Sequence, residues 1–154
     1  MSCILHIETS TDVCSVALSQ DGVCIYSDEN RDGPEHARIL APFVSDAISF
    51  ADSHAIPIDA VAVSKGPGSY TGLRIGVSTA KGVCYARDLQ LISVSTLALL
   101  SVPILLSHEL EEDALLCPMI DARRMEVYCC LYDRALRTIE PTSAQIITPD
   151  SFAA

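Results

Sequence analysis

Ten consecutive residues, Lys65-Gly66-Pro67-Gly68-Ser69-Tyr70-Thr71-Gly72-Leu73-Arg74, hold the densest set of chemically suggestive side chains in this sequence. They join an apolar strand-like run to a helical pattern, and the free amides at a helix N-terminus attract anions. Glycines in such a turn allow positive φ and the close approach of another chain. The order is not that of a P-loop, because Lys65 precedes the glycines instead of following them. Nor is it a dinucleotide fingerprint, since the glycines fall at 66, 68 and 72. Phosphate binding, a structural turn and a contact surface for another subunit all remain open uses.

Two acids invite a similar choice. Glu8 and Asp121 each close an apolar run, and carboxylates so placed could hold a metal-bound phosphate or activate water. Together with Thr9, Gly66, Gly68 and Gly72 they form a candidate anion or nucleotide contact. The plainer alternative is that both acids accept hydrogen bonds from nearby loop amides. Arg123 and Arg124 could grip a carboxylate or phosphate, or simply cover a strand end.

Other chemistry finds less support. No Gly-x-Ser-x-Gly elbow occurs, and no histidine stands recognisably beside a Cys or Ser. His36, at a helix start, reads as a capping or surface residue. The seven cysteines (3, 14, 24, 84, 117, 129 and 130) contain no Cys-x-x-Cys, and the four histidines are scattered, so no metal site is expected. Most of these cysteines lie in apolar runs and read as buried free thiols of a reducing compartment.

The elements that must position these groups follow from the pattern. Residues 3–8, 13–19 and a strand from Val23 read as three antiparallel strands, with Asp21-Gly22 as a tight hairpin turn. Gly33-Pro34-Glu35 predicts a helix start with Pro34 at the first helical position. Leu40, Phe43, Val44, Ala47, Ile48 and Ala51 then recur at helical spacing, with Pro42 expected to bend the run. Residues 58–64 predict a buried parallel strand, 73–86 a helix, 89–94 a strand, and 96–107 a helix weakened by Pro103. The order β-β-β-α-β-α-β-α predicts an α/β domain with a mixed sheet and packed helices.

A shift of 113 residues aligns Ile7 with Ile120, Glu8 with Asp121, Cys14 with Val127, Val16 with Cys129 and Leu18 with Leu131. This echo suggests a duplicated lobe: residues 1–108 as the first and 109–154 as the opening strands of an incomplete second. Uncovered sheet edges in such a half would call for a partner or further residues.

The helix over 73–86 places Gly72, Gly76, Ala80 and Val83 on one side, small enough for a neighbour to approach closely. The 36–51 helix carries apolar residues beyond one stripe, including Ile39 and Phe50, and so predicts more than one neighbour. Together the two helices could dock on a similar pair, or pack in an ordinary way against the sheet.

Composition narrows the function classes. With 154 residues the chain should bury roughly 70% of its unfolded surface, enough for a true core. Its formal net charge is −10 with only two lysines, which argues against a lone nucleic-acid binder. Aromatics are 5% with no Trp, so a base-stacking platform is poorly supplied. No apolar stretch reaches about 18 residues, and Met1-Ser2-Cys3 runs into a strand without a basic leader, which predicts a cytoplasmic protein without a membrane span.

The segments ILHIETSTDVCSVAL, EHARILAPFV, AVSKGPGSYTGLRIGVSTAKGVCYA, VSTL and MIDARRMEVYCCLYD resemble, in order, the signature segments of the TsaB (YeaZ) family. The resemblance spans essentially the whole chain. It implies an actin-like (ASKHA, ribonuclease-H-like) fold and a non-catalytic subunit of the bacterial machinery that makes threonylcarbamoyladenosine in tRNA. It further implies pairing with the catalytic paralogue TsaD, self-pairing when alone, and a TsaE-like ATPase that joins the assembly. TsaD-like proteins carry paired metal-binding histidines shortly after the strand that follows the glycine segment. Here that stretch reads Ser93-Val94-Ser95-Thr96-Leu97, with no histidine until His108.

On this resemblance the partner interface falls on the first two helices, at His36, Ile39, Leu40, Phe43, Val44, Ala47, Leu73, Gly76, Val77, Ala80 and Val83. The expected function is a scaffold with no catalytic residue, no cofactor and no direct tRNA contact. The rival is an ATP-dependent phosphotransferase or ATPase on the same fold, resting on Glu8, Asp121 and the Gly66–Gly72 turn. A peptidase has neither a metal motif nor a triad to rest on.

Overall fold

The computed structural model describes residues 1–33 and 35–151. The chain divides into two compact units, Met1–Val94 and Ser95–Ala154.

The first unit contains β1 (Cys3–Glu8), β2 (Cys14–Gln20), β3 (Val23–Asn30), α1 (His36–Ser53), β4 (Ala60–Ser64), α2 (Tyr70–Arg87) and β5 (Gln90–Val94). They form the expected mixed sheet, in the order β3-β2-β1-β4-β5, antiparallel across β3, β2 and β1 and parallel across β1, β4 and β5. Asp21 and Gly22 both take positive φ between Gln20 and Val23, the geometry that matches strand twist in a two-residue hairpin.

Register decides what is buried. Leu5 pairs with Leu18 and Val61, and Ile7 with Val16 and Val63, so these side chains share one face of the sheet. Ile39, Leu40, Val44, Ala47 and Ala51 of α1 and Ala80 of α2 pack on that face in one cluster. All five residues of β4 are buried, as expected for a parallel strand with both faces covered.

Helix boundaries follow their caps. α2 begins at Tyr70, three residues before the sequence expectation, because the Ser69 hydroxyl caps it by accepting a hydrogen bond from Gly72 N (3.3 Å). It ends at Arg87 and is capped by Asp88, whose φ is +54° and whose amide reaches back to Cys84 O. α1 starts at His36 and continues past Pro42, which lies on its exposed side, to Ser53. The expectation for Pro34 falls outside the described residues.

The second unit contains α3 (Thr96–Ser107), β6 (Met119–Arg123), β7 (Glu126–Tyr132) and β8 (Thr138–Ile146), the strands forming an antiparallel meander. Leu97, Leu116, Cys130 and Tyr132 make its core. α3 therefore groups with this unit, whereas the sequence division at 108 assigned it to the first.

The echo between the units is visible at the acids. Glu8 accepts a hydrogen bond from Ser10 N (2.6 Å), and Asp121 accepts one from Arg123 N (2.7 Å), each two residues on. The strand register differs from a simple shift, however. Ile7 pairs with Val16, but Ile120 pairs with Tyr128, not with the shifted position Cys129. The reason is a shorter connection: Arg123, Arg124 and Met125 turn the chain with positive φ where residues 9–13 form a longer loop. Cys130 and Tyr132 consequently point to the core.

Candidate functional site

The loop after β1 fills the space that the glycine-rich segment leaves. A Cβ built on Gly68 would overlap Ser10 O, one on Gly72 would overlap Thr9 O, and one on Gly76 would overlap Thr9 Oγ1. These three glycines exist here for close approach, and the approaching group belongs to the same chain. Thr9 Oγ1 donates to Gly72 O (2.8 Å), and Ser69 N donates to Ser10 O (2.6 Å). Among the three uses open to the turn, the structural one is occupied by Thr9 and Ser10.

Glu8 is drawn into the same arrangement. One carboxylate oxygen accepts from Ser10 N and the other from the Ser64 hydroxyl at the end of β4. Glu8, Thr9, Gly68 and Gly72 thus meet at the ends of β1 and β4 and the start of α2. Gly66 lies in the preceding turn, where a Cβ would stand 3.2 Å from Leu73 Cδ1. Asp121 is an exposed residue of the second unit and engages its own loop amide. The hydrogen-bonding alternative accounts for both acids.

His36 departs from its sequence reading. It is only 4% exposed, and its Nε2 donates to Thr11 O (2.8 Å). It is a buried tie between the start of α1 and the β1–β2 loop, not a surface or capping residue.

The interface expected from the two helices is largely turned inward. Ile39, Leu40, Val44, Ala47 and Ala80 lie in the core, and Gly76 is buried against Thr9. Phe43, Leu73, Val77 and Val83 are half-buried, and Phe43, Val77 and Val83 pack on that core. The cause is simple: apolar residues at helical spacing are what the sheet face needs, so the stripe that is easiest to read is the one already used.

The opposite side carries residues the sequence reading passed over. On α2, Tyr70, Arg74, Ser78, Lys81, Gly82 and Tyr85 are exposed, Tyr70 at 74% and Tyr85 at 92%. Arg74 lies over the Tyr70 ring, 5.4 Å from its centroid. Tyr70, Thr71, Arg74, Ile75 and Ser78 line a shallow depression of about 360 Å³. Tyr and Arg are the side chains most enriched at binding hot spots. The signal was present as the spacing 70, 74, 78, 82, the face opposite the small residues.

The helix pair is also tied at its far end. Arg87 of α2 donates to both oxygens of Asp52 of α1 (3.1 and 2.6 Å), and this pairing holds the Asp52 carboxyl below the usual carboxylate range.

Burial pushes the Cys3, Cys14, Cys84 and Cys117 thiols up, away from the thiolate form. Cys3, Cys14, Cys129 and Cys130 are buried as expected, whereas Cys24 is exposed. Among the described residues, no three His, Cys, Asp or Glu side chains converge as a metal site. No described helix is long and apolar enough to cross a membrane.

Comparison with known proteins places this geometry. The family model described as "TsaD: tRNA N6-adenosine threonylcarbamoyltransferase" matches residues 32–152. The tRNA threonylcarbamoyladenosine biosynthesis protein TsaB of Escherichia coli K12 is 35% identical over 85% of this chain and 55% of its own. The Bacillus subtilis protein of the same name is 33% identical over 84% of this chain and 54% of its own. The chain thus spans about half the length of these curated relatives. The structure of YeaZ from Pseudomonas aeruginosa superposes with a TM-score of 0.79 and 31% identity, covering 100% of this chain and 70% of that one. The ethanolamine utilization protein EutJ from Carboxydothermus hydrogenoformans (TM-score 0.53, 10% identity) shares the fold alone. An actin-like mixed sheet with packed helices is the fold these likenesses support.

Proposed function

Since the chain belongs to the TsaB (YeaZ) family, we propose that it is a non-catalytic scaffold subunit for the making of threonylcarbamoyladenosine in tRNA. It pairs with a TsaD-type catalytic subunit, self-pairs when alone, and is joined in the assembly by a TsaE-like ATPase. It works in the cytoplasm. Its two units are the first lobe of an actin-like protein and the opening part of a second.

One observation carries the docking role: the outer face of α2 sets Tyr70, Arg74, Lys81 and Tyr85 in solvent on a helix whose inner face is anchored to the sheet. Tyr and Arg offer large contact area and directional hydrogen bonding at little conformational cost, which suits a protein partner. Leaving the chemistry to that partner is supported by the state of Glu8 and Thr9. Their polar atoms are spent on Ser10, Ser64 and Gly72. The net charge of −10 supports leaving tRNA phosphates to other subunits.

Co-expression with a tagged TsaD-type subunit from the same organism tests the reading. The wild-type chain should co-purify, and an Arg74→Glu, Tyr85→Ala double variant should not, while both remain folded by circular dichroism. Undiminished co-purification of the double variant removes the α2 outer face as the docking site.

A further inference from the structure

We infer that the loop Thr9–Thr11 is a positioning element for partner binding: it fixes the N-terminal ends of α1 and α2 relative to each other, and so sets the face that the partner reads. The inference depends on the docking role proposed above and adds to it the buried residues Thr9, Ser10 and His36.

The loop is bonded to both helices at once. Thr9 Oγ1 donates to Gly72 O and Ser10 O accepts from Ser69 N, both at the start of α2. Thr11 O accepts from His36 Nε2, at the start of α1. The loop in turn is held to the sheet through Ser10 N and Glu8. Thr9, Ser10 and His36 are all at least nine-tenths buried, and the Thr9–Gly72 bond is shielded from water and salt, whereas the His36–Thr11 bond is partly buried beside the exposed Thr11. The Ser10 hydroxyl is buried without a hydrogen-bond partner, a cost that the other contacts of the loop offset.

The opposite ends of the helices are joined differently. There the tie is the Arg87–Asp52 pair, whose side chains are 36% and 56% exposed. An exposed ion pair holds geometry weakly, because solvent competes for both partners. Thr9 and Ser10, both buried, therefore make this the stiffer end of the pair. The glycines enforce this: at 68, 72 and 76 there is no room for the loop to shift towards α2. Movement of the loop would rotate or separate the two helices, and the outer face of α2 would move with them.

The test measures affinity for a TsaD-type subunit by titration calorimetry, with the full chain and well below its unfolding midpoint. Thr9→Val keeps shape but removes the bond to Gly72 O, and it should weaken binding about tenfold with the folded fraction unchanged. Thr9→Ser keeps the hydroxyl and should bind within about twofold of wild type. A second pair, His36→Leu against His36→Gln, removes or keeps a side-chain donor toward Thr11 O and serves if Thr9→Val fails to fold. Amide shifts of Tyr70 and Arg74 in the free protein should move in the weakened variants, a readout that a mere loss of stability would leave in place. Arg74→Glu is the control for the docking face. If it weakens binding while Thr9→Val and His36→Leu bind like wild type, the positioning role is overturned and the docking face stands. If Arg74→Glu binds normally, the docking face is overturned and the positioning role with it. Loss of binding by Thr9→Ser and His36→Gln equal to that of their partners also overturns the positioning role.

Discussion

Thr9 Oγ1 stands where a Cβ of Gly76 would have to be. A loop residue between two strands and a glycine in the second turn of a helix thereby share one small space, and each dictates the other's size. This contact gives the row of small residues on α2 an intramolecular neighbour. Gly72 and Gly76 admit the chain's own loop, and Ala80 packs in the core cluster with α1.

Gly76→Ala should accordingly destabilise the isolated protein by about 2 kcal/mol or more, through overpacking against the buried Thr9 side chain. Gly82→Ala should do the opposite. Gly82 lies in the same helix with open space around its missing Cβ, so the substitution should add about 0.5–1 kcal/mol. Urea unfolding of both variants checks the pair. Equal behaviour would contradict the packing described here.

Arg74→Glu should leave the unfolding midpoint within about 0.5 kcal/mol of wild type, because its side chain is on the solvent side. Its affinity for a TsaD-type subunit should fall by about 1–3 kcal/mol. Calorimetry on the same preparation measures both sides of this contrast.

The Asp52–Arg87 pair makes a prediction about acid. Arg87 holds the Asp52 pKa below its ordinary value, so the folded state prefers the ionised carboxylate. That preference is fully present above the ordinary aspartate range and is lost as pH falls through the lowered folded value. Asp52→Asn should therefore lose stability at neutral pH and show a flatter decline on the acid side. Urea midpoints taken from neutral pH down through the carboxylate range will show whether the two curves converge.

Calorimetry with Mg-ATP should give no binding heat for the isolated chain. The Gly66–Gly72 turn is filled by Thr9 and Ser10, and both oxygens of Glu8 are engaged. Saturable micromolar binding would favour the phosphotransferase reading of this fold.

Much of the architecture was legible in the residues. Alternation in β1 and β2, the Asp21-Gly22 turn and the continuous apolar run of β4 give the sheet order that forms. Apolar spacing in α1 gives the core that forms. The site was less legible because periodicity reports burial, and burial against the chain's own sheet looks the same as burial against a partner. His36 and Thr9 were obscure for a related reason. Their partners, Thr11 O and Gly72 O, are backbone atoms brought near by tertiary structure, and no side-chain spacing announces them. The second unit deviated where Arg123, Arg124 and Met125 adopt positive φ, a conformation usually left to glycine.

Light scattering on a mixture of this chain with a TsaD-type subunit bears most directly on the central claim. A single species with the summed mass of one copy of each, abolished by Arg74→Glu with Tyr85→Ala, is the outcome expected of a docking subunit. Two separate peaks at their individual masses would contradict it.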